Sequence, residues 1–339
     1  MRVSLGFDPA WYHRRCGVDL SQRWHTDPYY RHDALVKMKA ELCRSFPEVA
    51  YWDIQRTDDL WTLSGCYGAY LMPAIFGCRL RFAPDKWVEI ADRPACSLEE
   101  LAARGVDDIL ASPIVEDVFR QMDIIESAAG TIHGYLNWQG VLNTAFNVRG
   151  ERIFLDIADT PDVAHRFFTL ICDVMITLMQ TVQERQRRSG FAVNQGDVSN
   201  CVMNMVSPKT YREHLFVHDN KIAQSFERFG VHTCNWDATP YLEELQKLPK
   251  VGYLDMGMMS DLKKAKAMFP NTRRAVMYSP ARLQDASREE IEADMSRIYE
   301  DYAPCDIVVG SIQATTPDSR VHELLDICRK MEMSGAKDI

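Results

Sequence analysis

Residues 191–234 read FAVNQGDVSNCVMNMVSPKTYREHLFVHDNKIAQSFERFGVHTC, which contains one complete strand–helix–strand pattern. The short apolar run Phe191–Asn194 predicts a strand, and Gly230–Cys234 predicts the next one. Between them, the pair Ser207-Pro208 places a capping hydroxyl before a proline at the first helical position, which predicts a helix over Lys209–Phe229. A strand, a helix and a second strand in succession indicate parallel pairing with a right-handed crossover.

The same alternation continues on both sides of this stretch. Further apolar runs predict strands at Tyr70–Gly77, Thr131–Trp138, Val251–Asp255, Arg274–Tyr278 and Asp306–Gly310. Helical periodicity and start signals predict helices over Asp33–Ser45, Val163–Arg188, Arg288–Tyr302 and from Asp318 to about Met333. The start signals include a capping box, in which Ser287 precedes Glu290 by three residues.

These patterns give seven candidate strands, and the irregular first half of the chain leaves room for an eighth. We therefore predict an α/β fold in which residues 70–339 form a (β/α)8 TIM barrel. Residues 1–69 are predicted to form an N-terminal extension, mostly helical or irregular, that packs on this barrel. A doubly wound open sheet is the alternative, but no Gly-x-Gly-x-x-Gly motif follows any predicted strand.

Composition excludes several classes of protein. The chain has 339 residues, of which 46% are hydrophobic, so it can bury a large core, and its net charge of −9 argues against a nucleic-acid partner. No apolar run is long enough to span a membrane, and charged residues interrupt the first thirty positions. Ten irregularly spaced cysteines without a Cys-x-x-Cys pair suggest reduced thiols. We therefore expect a cytoplasmic protein with no membrane partner and a small-molecule substrate.

In a TIM barrel the working residues lie where strands end and helical connections begin. Polar residues at or near these ends are Asn137, Gln195, Asp197, Asp255, Tyr278, Ser311 and Gln313. We predict catalytic roles for Asp197, Tyr278 and Asp255. The other four, Asn137, Gln195, Ser311 and Gln313, are predicted to bind substrate. All of them are expected on one face of the barrel.

The triplet His232-Thr233-Cys234 lies at the end of a predicted strand. Side chains two positions apart on a strand point to the same face, so the imidazole and the thiol should project together into the barrel mouth. Both groups are good zinc ligands, although a buried cysteine beside a hydrogen-bonded histidine would give the same pattern. The pair His214 and His218 lacks the glutamate of a His-Glu-x-x-His helix and is interpreted as structural.

Several stretches together resemble the uroporphyrinogen decarboxylase superfamily. They are GYLNWQGVL at 134–142, RGERIFLDIADTPD at 149–162, Asp197 followed by MVSPKTYRE at 205–213, FGVHTC at 229–234, YSPARL at 278–283, and Gly310-Ser311 with Thr316-Pro317. The resemblance covers about residues 70 to 335, and it implies a TIM barrel. Dimers are common among such proteins, so a homodimer is compatible with the resemblance.

The resemblance implies two chemistries. The first is cofactor-free decarboxylation, which uses an arginine-rich N-terminal motif that residues 23–31, RWHTDPYYR, do not resemble. The second is methyl transfer from a corrinoid protein to a thiol, with zinc held by His-x-Cys and a later cysteine. His232 and Cys234 match the first two ligands, but Ser311 stands where the later cysteine should fall. A neutral serine binds zinc poorly, so Asp255 is predicted to complete the site.

Three hypotheses about function follow. The leading one is a methyltransferase closer to the corrinoid-dependent branch, with zinc bound by His232, Cys234 and Asp255 and a corrinoid supplied by a partner protein. In it, Asp197 and Tyr278 position the substrate by hydrogen bonds. The second is a metal-free lyase in which Asp197 or Asp255 steers a proton to a carbanion-like centre. The third is a non-catalytic barrel that binds a small molecule or a corrinoid partner.

Overall fold

The computed structural model describes residues 2–49 and 58–335. Within them the strands are β1 (Arg2–Phe7), β2 (Arg79–Ala83), β3 (Lys86–Asp92), β4 (Gln195–Ser199), β5 (Arg228–His232), β6 (Val251–Gly257), β7 (Arg273–Met277) and β8 (Asp306–Ile312). Six of them form one sheet in the order β1-β8-β7-β6-β5-β4, while β2 and β3 form a separate antiparallel hairpin.

All neighbours in the six-stranded sheet are parallel, which confirms the predicted α/β class. Pairing continues past the β4 edge through a single parallel bridge between Gln139 and Ser199, and a second bridge joins Thr62 to His133. The predicted strand Thr131–Trp138 is thus reduced to isolated bridges in the described part of the chain. A closed, eight-stranded barrel stays a prediction.

The helices account for much of the rest of the chain. They are α1 (Pro9–Cys16), α2 (Gln22–Thr26), α3 (Pro28–Ser45), α4 (Leu71–Ile75), α5 (Leu98–Ala102), α6 (Val106–Leu110), α7 (Pro113–Ala129), α8 (Val141–Arg149), α9 (Arg152–Asp159), α10 (Pro161–Arg188), α11 (Pro208–Thr210), α12 (Phe216–Ser225), α13 (Leu242–Leu245), α14 (Leu262–Met268), α15 (Pro280–Asp285), α16 (Arg288–Tyr302) and α17 (Asp318–Gly335). In the described residues none of them combines the length and the apolar character that a membrane crossing requires.

Helix starts follow the capping residues. The Ser287 hydroxyl accepts from the Glu290 amide, and the Glu290 carboxylate accepts from the Ser287 amide, so the predicted capping box and the helix Arg288–Tyr302 are confirmed. Helix α3 begins earlier than predicted, at Pro28, because the Asp27 carboxylate accepts from two amides of its first turn. A π-helical turn at Tyr211–Leu215 divides the predicted helix Lys209–Phe229, which ends at Ser225.

The first strand lies within residues 1–69, the segment predicted to be an extension that packs on the barrel. β1 pairs in parallel with β8 from Arg2 opposite Asp306 to Phe7 opposite Ile312. Val3 and Phe7 are buried, so this short strand contributes to the core. Its partner is almost the whole chain away in sequence, and local patterns carry no signal for such a pairing. Residues 1 and 50–57 of the predicted extension lie outside the described residues.

Two other strand predictions are wrong in position. Tyr70–Gly77 forms α4, whose five residues are all buried, and a short apolar run buried on every side does not distinguish a helix from a strand. Phe191–Asn194 precedes the sheet, and β4 begins at Gln195. Phe191 instead packs its ring against His133 and Tyr135. Gln195 and Asp197 therefore lie within a strand and not after it.

The two faces of the sheet differ in chemistry. Side chains that face the helices are apolar and buried, among them Val198, Phe229, Val231, Leu254 and Val276. The alternating positions on the inner face carry Asp197, Ser199, Gly230, His232 and Asp255, which are polar or lack a side chain. Polar groups on the inner face of parallel strands, close to their carboxyl ends, define the place where a site can form.

Candidate metal centre

His232 and Cys234 lie together, as their spacing predicts. His232 is the last residue of β5, and its Nε2 lies 3.1 Å from the Cys234 sulfur. Cys234 follows the strand with a φ of 61°, in the left-handed region that non-glycine residues rarely adopt. Such backbone strain concentrates at functional sites. This turn, and not simple strand alternation, brings the thiol back beside the imidazole.

A third donor, Cys201, was missed by the sequence reasoning. Its sulfur lies 2.7 Å from that of Cys234, and one donor atom from each of Cys201, His232 and Cys234 lies within 4.8 Å of the others. Cys201 stands in the turn after β4, the strand that pairs with β5. The sequence pattern places the preceding strand at Phe191–Asn194, so Cys201 does not fall near a predicted strand end. We call these three residues the Cys201 cluster.

The turn that carries Cys201 is fixed by its neighbours. The Asn200 amide donates to the His232 carbonyl at 2.8 Å, and the buried Asn200 side chain donates to Asp219 on α12 at 2.8 Å. The indole of Trp236 donates to the Cys201 carbonyl at 3.0 Å. The position of Cys201 relative to β5 is thus set by three hydrogen bonds that involve its own turn.

Asp255 lies behind the cluster and not in it, which corrects its prediction as a metal ligand. Its Oδ2 accepts from His232 Nδ1 at 2.7 Å, and its Oδ1 accepts from the Thr233 amide at 2.9 Å. The Tyr253 hydroxyl donates to Oδ2 at 3.1 Å. Because Nδ1 and Nε2 point to opposite sides of the ring, the carboxylate cannot reach the sulfurs. It orients the imidazole instead.

The cluster is strongly polarised. A hydrogen bond from Cys234 lowers the pKa of the Cys201 thiol, and the same contact raises the pKa of Cys234. Burial disfavours a charge on His232, but its bonds to Asp255 and Cys201 outweigh burial and raise its pKa to about 10. Cys201 is therefore the thiolate of the cluster, while Cys234 and His232 carry the protons that a bound cation would displace. Metal binding to thiol and imidazole ligands releases protons in this way.

Asn137, which was predicted to bind substrate, belongs to a polar network beside the cluster. Asn137 accepts from Gln139 at 3.0 Å and from the Ser199 hydroxyl at 3.4 Å. Asn143 donates to Gln139 and accepts from the amide of Val202, the residue after Cys201. The structure thus brings Asn137 to the edge of the Cys201 cluster.

Gln195 and Asp197 pair with each other on the inner face of β4. The Gln195 amide donates to Asp197 Oδ1 at 2.7 Å. Burial among the neighbouring strands raises the pKa of Asp197, the Gln195 bond opposes this, and the Asp255 carboxylate adds to it. The Asp197 side chain still reaches solvent from the inner side of the sheet.

Tyr278, Ser311 and Gln313 do not join the cluster. Tyr278 follows the inward-facing Met277, so its ring points outward, is buried, and its hydroxyl donates to Asp294 on α16 at 2.9 Å. This orientation corrects its predicted catalytic role. Gln313 is exposed and contacts the Thr315 hydroxyl.

Ser311 has a partner that the sequence did not suggest. The residue adopts a φ of 56°, and its side chain hydrogen-bonds to Asp8, which follows β1. Asp8 also accepts from the indole of Trp87, on the hairpin, at 3.3 Å, and burial raises its pKa. Ser311 is therefore engaged at the junction of β8 and β1, while Cys201 supplies the second sulfur of the cluster.

The fold and the cluster together define an α/β protein whose six-stranded parallel sheet carries a Cys–His–Cys cluster at the carboxyl ends of its strands. Among solved structures, the chain is similar to a methyltransferase from Methanosarcina mazei, with a TM-score of 0.67 and 15% identity over 97% of this chain and 92% of that one. This likeness agrees, at the level of the fold, with the resemblance seen in the sequence.

A second solved structure aligns more loosely. It is a B12-independent methionine synthase from Shewanella sp. W3-18-1 in complex with selenomethionine, with a TM-score of 0.46 and 8% identity over 100% of this chain and 99% of that one. No protein-family model matches the sequence, and no curated protein matches it.

Proposed function

We propose that this protein is a methyltransferase that binds zinc through Cys201, His232 and Cys234 and methylates a small thiol. The observation that supports the proposal is the approach of two sulfurs and one imidazole nitrogen to within 4.8 Å at the ends of two adjacent strands. The fold that the chain shares with a methyltransferase supports the same reading. The expected donor is a methylated corrinoid on a partner protein, and the reduced cysteines suit a cytoplasmic enzyme.

The donor set fits zinc better than the other common metals. Thiolate and imidazole ligands select zinc, whereas magnesium, calcium and manganese prefer oxygen. Three protein ligands, of which two are cysteines and one a histidine, leave a fourth position free, as catalytic zinc sites do. The carboxylate at His232 Nδ1 is the outer partner that zinc-binding histidines commonly have. In this proposal Asp255 is a positioning residue, which orients the His232 imidazole toward the zinc.

Zinc bound there would lower the pKa of an acceptor thiol and keep it as a thiolate at neutral pH. In the reaction, the acceptor sulfur forms a bond to the methyl carbon as the bond from that carbon to the donor breaks. The donor keeps the bonding electron pair, and the thiol proton leaves to solvent. Asp255 fixes the imidazole, and Asn137 and Asp197 lie where they can contact the acceptor. We also propose that the sheet closes into an eight-stranded barrel and that the protein forms a homodimer. The methyl transfer described above requires neither feature.

The test is metal analysis of protein purified without chelators, followed by methyl transfer from methylcobalamin to simple thiols. Cys201→Ser should lose most of the zinc, whereas Cys172→Ser, which changes a buried cysteine of α10, should keep it. Methyl transfer should follow the zinc content. Wild-type protein that contains less than about 0.2 zinc per chain, and does not take up zinc when it is supplied, would overturn the proposal.

A further inference from the structure

The inner face of the sheet continues away from the Cys201 cluster as a polar layer centred on Asp197. In the sheet register, Ser199 lies opposite His232 and Asp197 lies opposite Gly230, two residues closer to the start of both strands. Two residues along a strand correspond to about 6.6 Å. The Asp197 carboxylate therefore lies one layer of side chains away from His232, on the adjacent strand and on the same face.

Gly230 makes room for this carboxylate. A Cβ atom on Gly230 would lie 1.8 Å from Asp197 Oδ1, a distance that no real contact permits. The carboxylate thus lies against the bare backbone of β5, where Gln195 donates to its Oδ1. Among the residues that the structure describes, no donor reaches Oδ2. One oxygen of Asp197 is held in place, and the other is free to accept from a ligand.

The charged group that acts on Asp197 across the inner face is the Asp255 carboxylate. On the six strands of the sheet, the inward positions with a cationic side chain are Arg2, Arg228 and Arg273, each the first residue of its strand. They lie at the end away from the Cys201 cluster, and the Arg273 guanidinium is bound by Asp306 at 2.6 Å. Beyond those first residues, the inward positions carry Asp197, Asp255 and His232 but neither lysine nor arginine, and His232 is already bound by Asp255. An anionic ligand would meet two carboxylates here, whereas a cation would be attracted.

We propose that the thiol acceptor carries a protonated amine a few bonds from its sulfur, and that Asp197 binds this ammonium group while the sulfur occupies the Cys201 cluster. The proposal rests on the proposed function, because it assumes that a thiol binds at the cluster. An ammonium donates a charge-assisted hydrogen bond to a carboxylate, which is stronger than a bond between neutral groups. Asp197 and the Cys201 cluster are separated by about one layer of side chains, which matches the distance between the sulfur and the amine of a short aminothiol.

The raised pKa of Asp197 agrees with this assignment. Burial and the Asp255 carboxylate raise it, and no cation among the neighbours of Asp197 lowers it. Such a carboxylate lacks a positive partner of the kind that Asp294 has in Arg282. A ligand that carries the positive charge would supply this partner.

The experiment compares three thiols of similar length but different charge. Cysteamine is cationic, 2-mercaptoethanol is neutral and 3-mercaptopropionate is anionic. Isothermal titration calorimetry of the zinc-loaded protein measures the affinity for each thiol without any methyl donor. A hydrogen bond to a charged group contributes about 1.5–3 kcal/mol, so cysteamine should bind roughly 10–100 times more tightly than 2-mercaptoethanol. 3-Mercaptopropionate should bind most weakly.

The Asp197→Asn variant should lose this preference, because an amide keeps the shape but not the charge. Its zinc content and its affinity for 2-mercaptoethanol should equal those of the wild type, and the surface variant Asp107→Asn should keep the preference. Equal binding of all three thiols, or a preference for the anionic one, would overturn the inference and leave the proposed function standing. Failure of every thiol to bind the zinc-loaded protein would overturn both.

Discussion

Replacement of Asp255 by asparagine tests whether the carboxylate behind His232 controls the proton on the imidazole. Asp255 accepts at both oxygens, from His232 Nδ1 at 2.7 Å and from the Thr233 amide at 2.9 Å. Asparagine has only one acceptor oxygen. If its NH2 group faces His232, Nδ1 must accept, the ring proton moves to Nε2, and Nε2 can no longer bind a metal. If the NH2 group faces Thr233, two N–H groups oppose each other in a buried place.

Both arrangements weaken metal binding or folding by a calculable amount. A buried donor without a partner costs about 1–3 kcal/mol. Loss of the outer partner of a metal-bound histidine costs about 10–100-fold in affinity, equivalent to about 1.4–2.7 kcal/mol. We therefore expect the zinc Kd of Asp255→Asn to be roughly 10–100 times that of the wild type. Competition with a chromophoric chelator at neutral pH measures this ratio.

Two control variants separate this effect from general damage. Tyr253→Phe removes one donor to the same carboxylate but leaves the bond to His232, so the zinc Kd should rise less than threefold, a change of under about 0.7 kcal/mol. His214→Gln, in the π-helical turn, should leave the Kd unchanged. A folded Asp255→Asn protein with the zinc affinity of the wild type would show that Asp255 does not hold the imidazole for a metal.

Three further predictions follow from single contacts. Gly230→Ala would place a Cβ 1.8 Å from Asp197 Oδ1 and displace the carboxylate, so calorimetry should show cysteamine affinity lowered about tenfold while zinc content is unchanged. Tyr278→Phe removes the buried bond to Asp294, so urea titration should show stability lower by about 1–2 kcal/mol while zinc affinity stays constant. Burial lowers the pKa of His25 to about 4, so below its ordinary value near 6.5 the unfolded chain binds a proton that the folded chain does not. The contribution of His25 to the free energy of unfolding is complete above that value and is lost as the pH falls. Between about pH 8 and about pH 5, urea titrations should show a fall in the free energy of unfolding that is about 2 kcal/mol smaller for His25→Gln than for the wild type.

Local signals in the sequence predicted the parts of the structure that local forces determine. The capping box of Ser287 and Glu290 fixed the start of α16, because both partners lie within one helical turn. The parallel pairing of β4 with β5 followed from the strand–helix–strand alternation. The separation of two residues predicted that His232 and Cys234 lie together, although a turn at Cys234, and not strand alternation, brings them into contact. These predictions needed no information about distant parts of the chain.

The parts that sequence reasoning missed depend on contacts between distant segments. Cys201 meets Cys234 only because β4 and β5 are neighbours in a defined register, and no spacing rule connects the two cysteines. Tyr278 illustrates the sensitivity to register, since one residue separates the inward-facing position of Met277 from the outward-facing one. The pairing of β1 with β8 joins opposite ends of the chain and leaves no local trace.

The three donors of the Cys201 cluster come from one β–α–β unit: Cys201 lies in the turn after β4, His232 ends β5, and Cys234 lies in the turn after β5. An ion held by both turns would act as a crosslink that closes the loop of chain between them and restricts the unfolded state of that unit. Removal of the ion by a chelator would then favour local unfolding of β4, α12 and β5 before the rest of the protein unfolds. Amide hydrogen exchange in this unit would therefore report the metal content of the protein independently of any reaction that it performs.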